Sequence, residues 1–481
     1  MTRAIIILTM FSLLLAGCGA TPLPSTEPSP ALAPGASVDL AQNGTASVDP
    51  TAIPTPKILP TATTIPTPVP DTLYVNPSIS LGPISPLVYG SNYGPWLVVS
   101  FEMLPAAYAS GITILRFPAG SWGDNNDVKT YQIDQFMDFA KKVGATAMFN
   151  VRLLDGTPEQ AAEMVRYTNI EKKYNVRYWG IGNEPTLFDG VMKNRGESYD
   201  VQRFNEEWRE FALAMKEVDP TIQLVGAEIN QFSYDLSPGA TTNFGERDEE
   251  WFVEFLKANG DLVDIVSFHR YPYPRSRISG PPSIDELKQN AQEWDQIIIH
   301  ARDLILQHTG RDLPIAITEF NSAYDKSVGG ETTPDSHYNA IWLADVLGSM
   351  IKNDVFMANE WALTAKGGYG GLGLVGQTDV YPAYYVYQIY KKFGNELIYS
   401  SSDDPDVSIY AARRADGALT VILINLSLEE QSKAIRIEGQ SEARAEAWLF
   451  DPDHNAENIG TVQLSSEVTV PPQSMTLYII Q

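Results

Sequence analysis

Tyr178–Pro185, with the sequence YWGIGNEP, is the stretch that decides the fold. The apolar run Val176–Ile181 predicts a buried strand, and Gly182 lets the chain turn where that strand ends. Directly after the turn come an amide, Asn183, and a carboxylic acid, Glu184, followed by a proline that restricts the exit. Polar side chains placed at the end of an apolar strand predict a functional edge of a sheet.

A second apolar strand that ends in a glutamate lies at Pro314–Asn321, with the sequence PIAITEFN. If both strands belong to one parallel sheet, Glu184 and Glu319 lie at the same edge. Glycoside hydrolysis needs such a pair, because one carboxyl protonates the leaving oxygen while the other meets the anomeric carbon. Two buried salt-bridge acids are the alternative, and isolated glutamates at two strand ends make it the weaker one.

Strands and helices alternate eight times over residues 87–394, and this repeat predicts a (β/α)8 TIM barrel. Helices with one apolar face follow the strands, for example Ile133–Val143. The competing fold is a doubly wound open sheet, which would need a glycine-rich phosphate loop after its first strand. Gly90–Gly94 is not such a loop.

Beyond residue 394 the helical pattern stops, and residues 395–481 predict a C-terminal all-β sandwich. Residues 72–86 contain short strands that we expect to join this sandwich. The predicted strands are Val407–Ala412, Leu419–Asn425, Ala434–Ile437, Ala443–Leu449 and Met475–Ile480.

The N-terminus predicts export. Residues 1–18 hold Arg3, an apolar run too short to anchor a chain across a membrane, and then Cys18. Leu15–Cys18 resembles a bacterial lipoprotein signal, in which the cysteine is lipidated; an ordinary signal peptide is the alternative. Residues 19–71 are rich in Pro and Thr and predict a disordered tether. The expected location is the cell surface, lipid-anchored, or the medium.

Composition limits the partners. The 481 residues carry a formal charge of −25, which argues against nucleic acid and against anionic membrane surfaces, apart from a lipid anchor. The single cysteine excludes an internal disulfide or a thiolate metal site, and the histidines lack ligand spacing. We therefore expect a polysaccharide or oligosaccharide substrate, no metal and no cofactor.

The carboxyl ends of the predicted barrel strands supply the candidate site. Arg116 can keep Glu319 ionised, the Tyr271 hydroxyl can hold one of its oxygens, and Glu184 as the acid should lie in a less charged setting. Asn183 can bind a sugar hydroxyl. The candidate substrate-binding residues are Asn183, Arg116, His269, Tyr271, Trp361, Trp122, Asn150 and Tyr93, of which the aromatic ones offer apolar faces to a sugar ring.

These motifs resemble those of clan A retaining glycoside hydrolases. In that clan the glutamate of the Asn183-Glu184 motif is the acid/base and the glutamate of Ile317–Asn321 is the nucleophile. The chain is similar to α-L-arabinofuranosidases in its barrel followed by a sandwich and in the motifs Leu115–Pro118 and His269–Tyr271. Val88–Gly90 and Val407–Ala412 are similar to a clan A endo-β-glucanase and xyloglucanase family with the same two domains.

The resemblance implies double displacement on plant cell-wall polysaccharides or their oligosaccharides, and a cis peptide after Trp361. The chain departs from the arabinofuranosidases on the first strand, where Gly90–Tyr93 has no acidic residue, and after the second, where Ala119–Ser121 replaces Gly-Gly-Asn. A non-catalytic sugar-binding lipoprotein is the alternative function. Such a protein would have no need for a carboxyl on each side of a scissile bond.

Overall fold

The computed structural model describes residues 68–189, 199–232, 245–274 and 276–481. The predicted signal peptide, the lipidation site Cys18 and nearly all of the predicted tether lie outside the described residues. The residues from Pro66 onward form one compact unit that contains both a barrel and a sheet.

Eight parallel strands close into a barrel, which confirms the predicted fold class. Each strand pairs with the next, and the last pairs with the first. The first strand, Gly90–Asn92, begins after the predicted barrel start at residue 87, because Pro86–Val88 forms a 3-10 turn ahead of it. The strands are β2 (Gly90–Asn92), β3 (Ile114–Phe117), β4 (Thr146–Val151), β5 (Tyr178–Ile181), β6 (Gln223–Ile229), β7 (Ile265–Arg270), β8 (Ile315–Phe320) and β9 (Met357–Glu360), after β1 (Thr72–Pro83) outside the barrel.

Helices fill the connections between the strands, and local sequence signals set their ends. The helix α8 begins after a capping box at Ser283 and ends at Gly310, which adopts the left-handed conformation. Within the described ranges, no helix combines the length and the apolar character needed to cross a membrane. The helices are α1 (Leu104–Ala109), α2 (Trp122–Asn125), α3 (Thr130–Val143), α4 (Pro158–Val165), α5 (Val201–Val218), α6 (Gly245–Asn259), α7 (Ser276–Ser279), α8 (Ile284–Thr309), α9 (His337–Lys352) and α10 (Pro382–Tyr390).

The C-terminal domain is one nine-stranded sheet in the order β15-β14-β17-β12-β11-β10-β1-β13-β16. The sheet curls into a sandwich, and the curl brings β12 into contact with β16 although the two strands are not neighbours in the sheet. The Asn425 side chain at the end of β12 donates to the carbonyl of Val470 at the end of β16, at 3.1 Å. The strands are β10 (Glu396–Ser401), β11 (Val407–Arg413), β12 (Leu419–Asn425), β13 (Gln431–Ile437), β14 (Ala443–Asp451), β15 (His454–Leu464), β16 (Glu467–Val470) and β17 (Ser474–Ile480).

The strand β11 packs against both domains, because its side chains point alternately to its two faces. Ile409 and Ala411 face the core of the sandwich, while Tyr410 and Ala412 belong to the larger core shared with the barrel. The Tyr410 hydroxyl donates to the Asp345 carboxyl on α9 at 2.8 Å. Since α9 is covered by the barrel on one side and by the sheet on the other, nearly all of its residues are buried.

Candidate active site

Glu184 and Glu319 meet at the carboxyl end of the barrel. Glu184 follows β5 and Glu319 lies on β8, and both line the same cavity. One oxygen of each carboxyl and one ring nitrogen of His269 lie within 4.8 Å of one another. The Glu184 side chain is 13% exposed and the Glu319 side chain 5%, so both reach solvent only through the cavity.

Three donors hold the Glu319 carboxylate. Arg116 donates to Oε1 at 2.7 Å, as does the backbone N–H of Gly120 at 3.1 Å, while the Tyr271 hydroxyl donates to Oε2 at 3.0 Å. Burial raises the pKa of the Glu319 carboxyl above its usual value, and His269 and Arg116 oppose that rise. The Arg116 and Tyr271 contacts are those predicted from the sequence, and they orient Oε2 as the freer oxygen.

Glu184 is held in a strained backbone conformation. Its φ angle is +50°, in the left-handed region that side chains other than glycine rarely adopt. Its N–H donates to the carbonyl of Glu228 at 3.1 Å, and Pro185 directly begins a short 3-10 turn. Glu228 has a φ of +59°, so both residues of this contact are strained. Such conformations cluster where a side chain must point at a reacting group.

His269 on β7 lies between two carboxylates. Its Nδ1 is 3.1 Å from Glu184 Oε1 and its Nε2 is 2.9 Å from Glu228 Oε2. Burial lowers the pKa of this imidazole, but the carboxylates of Glu319, Glu184 and Glu228 outweigh burial and raise the pKa to about 9. Glu184 therefore has one basic neighbour, His269, whereas Glu319 has both Arg116 at 2.7 Å and the same imidazole at 3.8 Å.

Glu228 near the end of β6 was missed by the sequence analysis. It is fully buried, and its Oε2 accepts from Arg116 at 2.6 Å and from the Thr318 hydroxyl at 3.1 Å. Burial raises the pKa of Glu228, but Arg116 and His269 outweigh it and leave the pKa below its usual value. The available signal was a glutamate directly after the apolar stretch Leu224–Ala227, the same pattern that identified the other two acids.

Asn183 is fixed on two sides. Its N–H donates to Asp124 Oδ2 at 2.7 Å, and its side-chain oxygen accepts from Arg116 at 2.8 Å. Asp124 is buried on α2, and burial raises its pKa to about 6 although three backbone N–H groups donate to it. The Asn183 amide nitrogen has no partner among the described residues. It is therefore a donor that a bound sugar hydroxyl could use.

The cavity above the two glutamates has a volume of about 610 Å³ and aromatic walls. Trp96 stacks on Trp122 with ring centroids 5.7 Å apart, and its centroid is 6.5 Å from that of Trp361. Gly120 has a φ of +64°, and a Cβ there would lie 2.6 Å from the Trp361 ring. Only glycine lets the backbone N–H reach Glu319 beneath this ring. Tyr324, Tyr369 and Lys366 line the cavity as well.

Two predicted substrate-binding residues lie elsewhere. Tyr93 does not line the cavity: its ring stacks on Phe139 at a centroid distance of 4.7 Å and on Phe136 at 6.4 Å. Because Asn92 faces the barrel interior, the next residue on the chain faces outward. Asn150 is buried within the barrel and donates to the carbonyl of Gly182 at 3.0 Å, so it supports the turn before Glu184.

The remaining predicted residues, Trp122, Trp361, Tyr271 and Glu184 with Glu319, line the cavity together. His269, Asn183 and Arg116 lie directly beneath it and contact the glutamates or each other. The peptide bond between Trp361 and Ala362 is cis, as the resemblance implies.

Glu184, His269 and Glu319 offer donor atoms close enough for a metal ion. These atoms are already engaged, because His269 Nδ1 bonds to Glu184 and Glu319 accepts from Arg116, Gly120 and Tyr271. The positive charges of Arg116 and His269 beside them would also repel a cation. The arrangement fits an acid–base pair better than a metal centre.

No family model matches the chain. Among curated proteins, heparanase from Bos taurus is 25% identical over 327 residues, covering 63% of this chain and 54% of that protein. The probable alpha-L-arabinofuranosidase C of Aspergillus clavatus is 24% identical over 198 residues, covering 31% of this chain and 38% of that protein. The chain thus spans about half or less of the length of these relatives.

Several solved structures share the fold. The alpha-L-arabinofuranosidase from Thermotoga maritima has a TM-score of 0.66 and 20% identity, covering 85% of this chain and 99% of that one. A xyloglucanase from Paenibacillus polymyxa, solved with xyloglucan, has a TM-score of 0.65 and 15% identity, covering 85% of this chain and 99% of that one. The resemblance to clan A glycoside hydrolases is therefore confirmed, since both groups named from the sequence motifs are among the similar proteins.

Proposed function

We propose that this chain is a retaining glycoside hydrolase that acts on plant cell-wall polysaccharides or their oligosaccharides, in the manner of an α-L-arabinofuranosidase or an endo-β-glucanase. The observation that carries the proposal is the pair Glu184 and Glu319, with oxygens within 4.8 Å across one aromatic cavity. Retaining enzymes hold their carboxyls about 5–5.5 Å apart, whereas inverting enzymes leave room for a water molecule and need about 6.5–9.5 Å.

In the first step, Glu319 Oε2 attacks the anomeric carbon while Glu184 gives its proton to the leaving oxygen, and the glycosidic bond breaks. In the second, Glu184 removes a proton from water, the water oxygen attacks the same carbon, and the ester bond to Glu319 breaks. Both glutamates thereby return to their starting states. Arg116, Gly120 and Tyr271 orient the nucleophile, and the aromatic walls bind the C–H faces of the sugar.

The test compares the full chain with Glu319→Gln and Glu184→Gln on a panel of aryl glycosides, arabinan, xyloglucan and β-glucan. Each variant should lose about 10²–10⁴-fold in turnover, the contribution of a positioned acid or base. Glu207→Gln is the matched control, because Glu207 pairs with Arg203 on α5 outside the cavity lining. It should keep full activity.

Two readouts separate this function from its alternatives. Proton NMR of the first product should show the anomer that the substrate had, and inversion would contradict the mechanism. Sugar binding without any product, or a loss of less than about tenfold in both variants, would favour a non-catalytic sugar-binding lipoprotein. The substrate panel distinguishes the arabinofuranosidase from the endoglucanase reading.

We also propose that the chain is exported and carried on the cell surface through Cys18, which the sequence pattern supports. In a bacterial host fed a palmitate probe, the full chain should be labelled and fractionate with membranes. Cys18→Ala should abolish labelling and release the protein. Unlabelled protein cleaved before residue 19 would show an ordinary signal peptide instead.

A further inference from the structure

The mechanism leaves Glu228 without a role, although it is among the most heavily bonded carboxylates near the cavity. It does not line the cavity and is fully buried, so it does not touch a substrate. Its Oε2 nevertheless accepts from three strands at once: from Arg116 on β3 at 2.6 Å, from His269 on β7 at 2.9 Å and from Thr318 on β8 at 3.1 Å. Removing a buried charge with this many partners would leave the charges of Arg116 and His269 uncompensated.

His269 is the partner through which Glu228 reaches the reaction. With Nε2–H donated to Glu228, Nδ1 points at Glu184 Oε1 at 3.1 Å and lies 3.8 Å from Glu319 Oε2. The imidazole therefore lies beside both carboxyls of the proposed mechanism. The titratable and charged groups that face it come from the neighbouring strands: Glu184, Glu228 and Glu319, with Arg116 and Tyr271 bonded to those carboxylates.

Negative charge moves between those two carboxyls during catalysis. Before the first step, Glu319 is the carboxylate and Glu184 holds the proton; in the glycosyl-enzyme, Glu319 is an uncharged ester and Glu184 is the carboxylate. A cation between the two can stabilise the charge at either end. An imidazolium 3.1 Å from one and 3.8 Å from the other meets this need without moving.

We propose that Glu228 is a positioning residue that keeps His269 protonated and aimed at Glu184, so that one positive charge serves both carboxylates throughout the double displacement. The inference rests on the proposed function for its catalytic part, but its electrostatic part can be measured without turnover. Glu228 also anchors Arg116, which bonds to Glu319. One carboxylate thus fixes both cations of the site.

The first measurement is an NMR titration of the full chain carrying ¹⁵N-labelled histidine. The protein has five histidines, and His269→Gln identifies the signal of interest by its absence. In the unaltered protein His269 should stay doubly protonated up to a pKa of about 9. An ordinary value near 6.5 would overturn the proposal.

The second measurement uses Glu228→Gln, which removes the charge and keeps the shape. The pKa of His269 should fall by about one to three units, the usual effect of losing an adjacent opposite charge. The alkaline limb of the kcat profile should move to lower pH with it, and Glu228→Asp should restore part of the shift. A merely structural role would lower activity equally at all pH values, and this outcome would refute the proposal.

Asp345→Asn is the matched control, because Asp345 is a buried carboxyl on α9 bonded to Tyr410 and outside the cavity lining. It should leave the His269 titration and the shape of the pH profile unchanged. The two proposals can fail separately. Loss of the retaining mechanism would be seen in the Glu184 and Glu319 variants, while the His269 titration reports on Glu228 alone.

Discussion

The two ends of the barrel interior are built from opposite kinds of side chain. The lower layer is entirely apolar apart from one tyrosine hydroxyl and consists of Leu87, Ile114, Met148, Tyr178, Val225, Ile265, Ala316 and Met357. Two residues further along five of the strands, the inward position is polar and buried: Arg116, Asn150, Ser267, Thr318 and Asn359. Asn92 on β2 and Glu228 on β6 are buried polar residues at the same end of the barrel.

This difference indicates that the lower layer stabilises the fold and that the upper layer supports the catalytic site. Burying an apolar side chain contributes about 1.5–3 kcal/mol, whereas a polar one must regain its lost hydration through hydrogen bonds. The upper layer regains much of it internally. Asn92 donates to the carbonyl of Thr318 at 3.1 Å, and Arg116 and Thr318 both donate to Glu228. A network at this position is costly unless the site above it needs one.

The largest effect on stability should come from the lower layer. Met148→Ala removes a fully buried side chain, and the cavity left behind should cost about 2–5 kcal/mol. Met164→Ala on α4, where the side chain is half-buried, should cost clearly less. Urea unfolding measures both. Where it is folded, the Met148 variant should keep its kcat, and equal losses of stability in the two variants would contradict the stabilising role of the lower layer.

Much of this division could be predicted from the sequence, because the rules involved are local. An apolar strand followed by a glutamate identified Glu184 and Glu319 without knowledge of any contact. The ends of α8 also lie at local sequence signals, Ser283 at its start and Gly310 at its end. The number of strand–helix repeats then gave the barrel.

What escaped prediction depends on register. The pairing of β6 with β7 shifts between Ala227 and Ile229, and this irregularity places Glu228 within the site. Tyr93 was predicted to bind the substrate because the sequence does not show which residues of this short strand face the barrel interior. In the structure Asn92 faces inward, so Tyr93 faces outward. The strand β15 was missed because most of its residues are exposed, so it lacks the apolar alternation of a buried strand.

A second variant tests whether unpaired polar groups are costly at the upper end. Glu360 at the end of β9 is 3% exposed, accepts one bond from Asn321 at 3.3 Å, and burial raises its pKa well above the usual range. A carboxyl that is protonated when folded and ionised when unfolded supports the fold fully below its unfolded pKa. That support is lost as the pH rises towards the folded pKa.

Glu360→Gln should therefore match the unaltered protein at acid pH and exceed it increasingly above about pH 5, by up to about 1.4 kcal/mol per pH unit. Urea unfolding at pH 5, 7 and 9 measures this difference. Glu207→Gln, which removes a partly exposed carboxylate paired with Arg203, should not show a gain that grows with pH. A constant difference across the range would mean that Glu360 is ionised in the folded protein.

The smallest expected effect is on KM and concerns the aromatic walls of the cavity at the upper end of the barrel. Trp122→Ala removes one wall of the cavity and a stacking partner of Trp96, so KM should rise about two- to tenfold, the equivalent of about 0.5–1.5 kcal/mol for an aromatic contact. Tyr93→Phe should leave KM unchanged, because the Tyr93 ring packs on Phe139 outside the cavity lining. If the Tyr93 variant raised KM as much as the Trp122 variant, the bound sugar would have to extend beyond the cavity to Tyr93, and the substrate site would be larger than the aromatic cavity described.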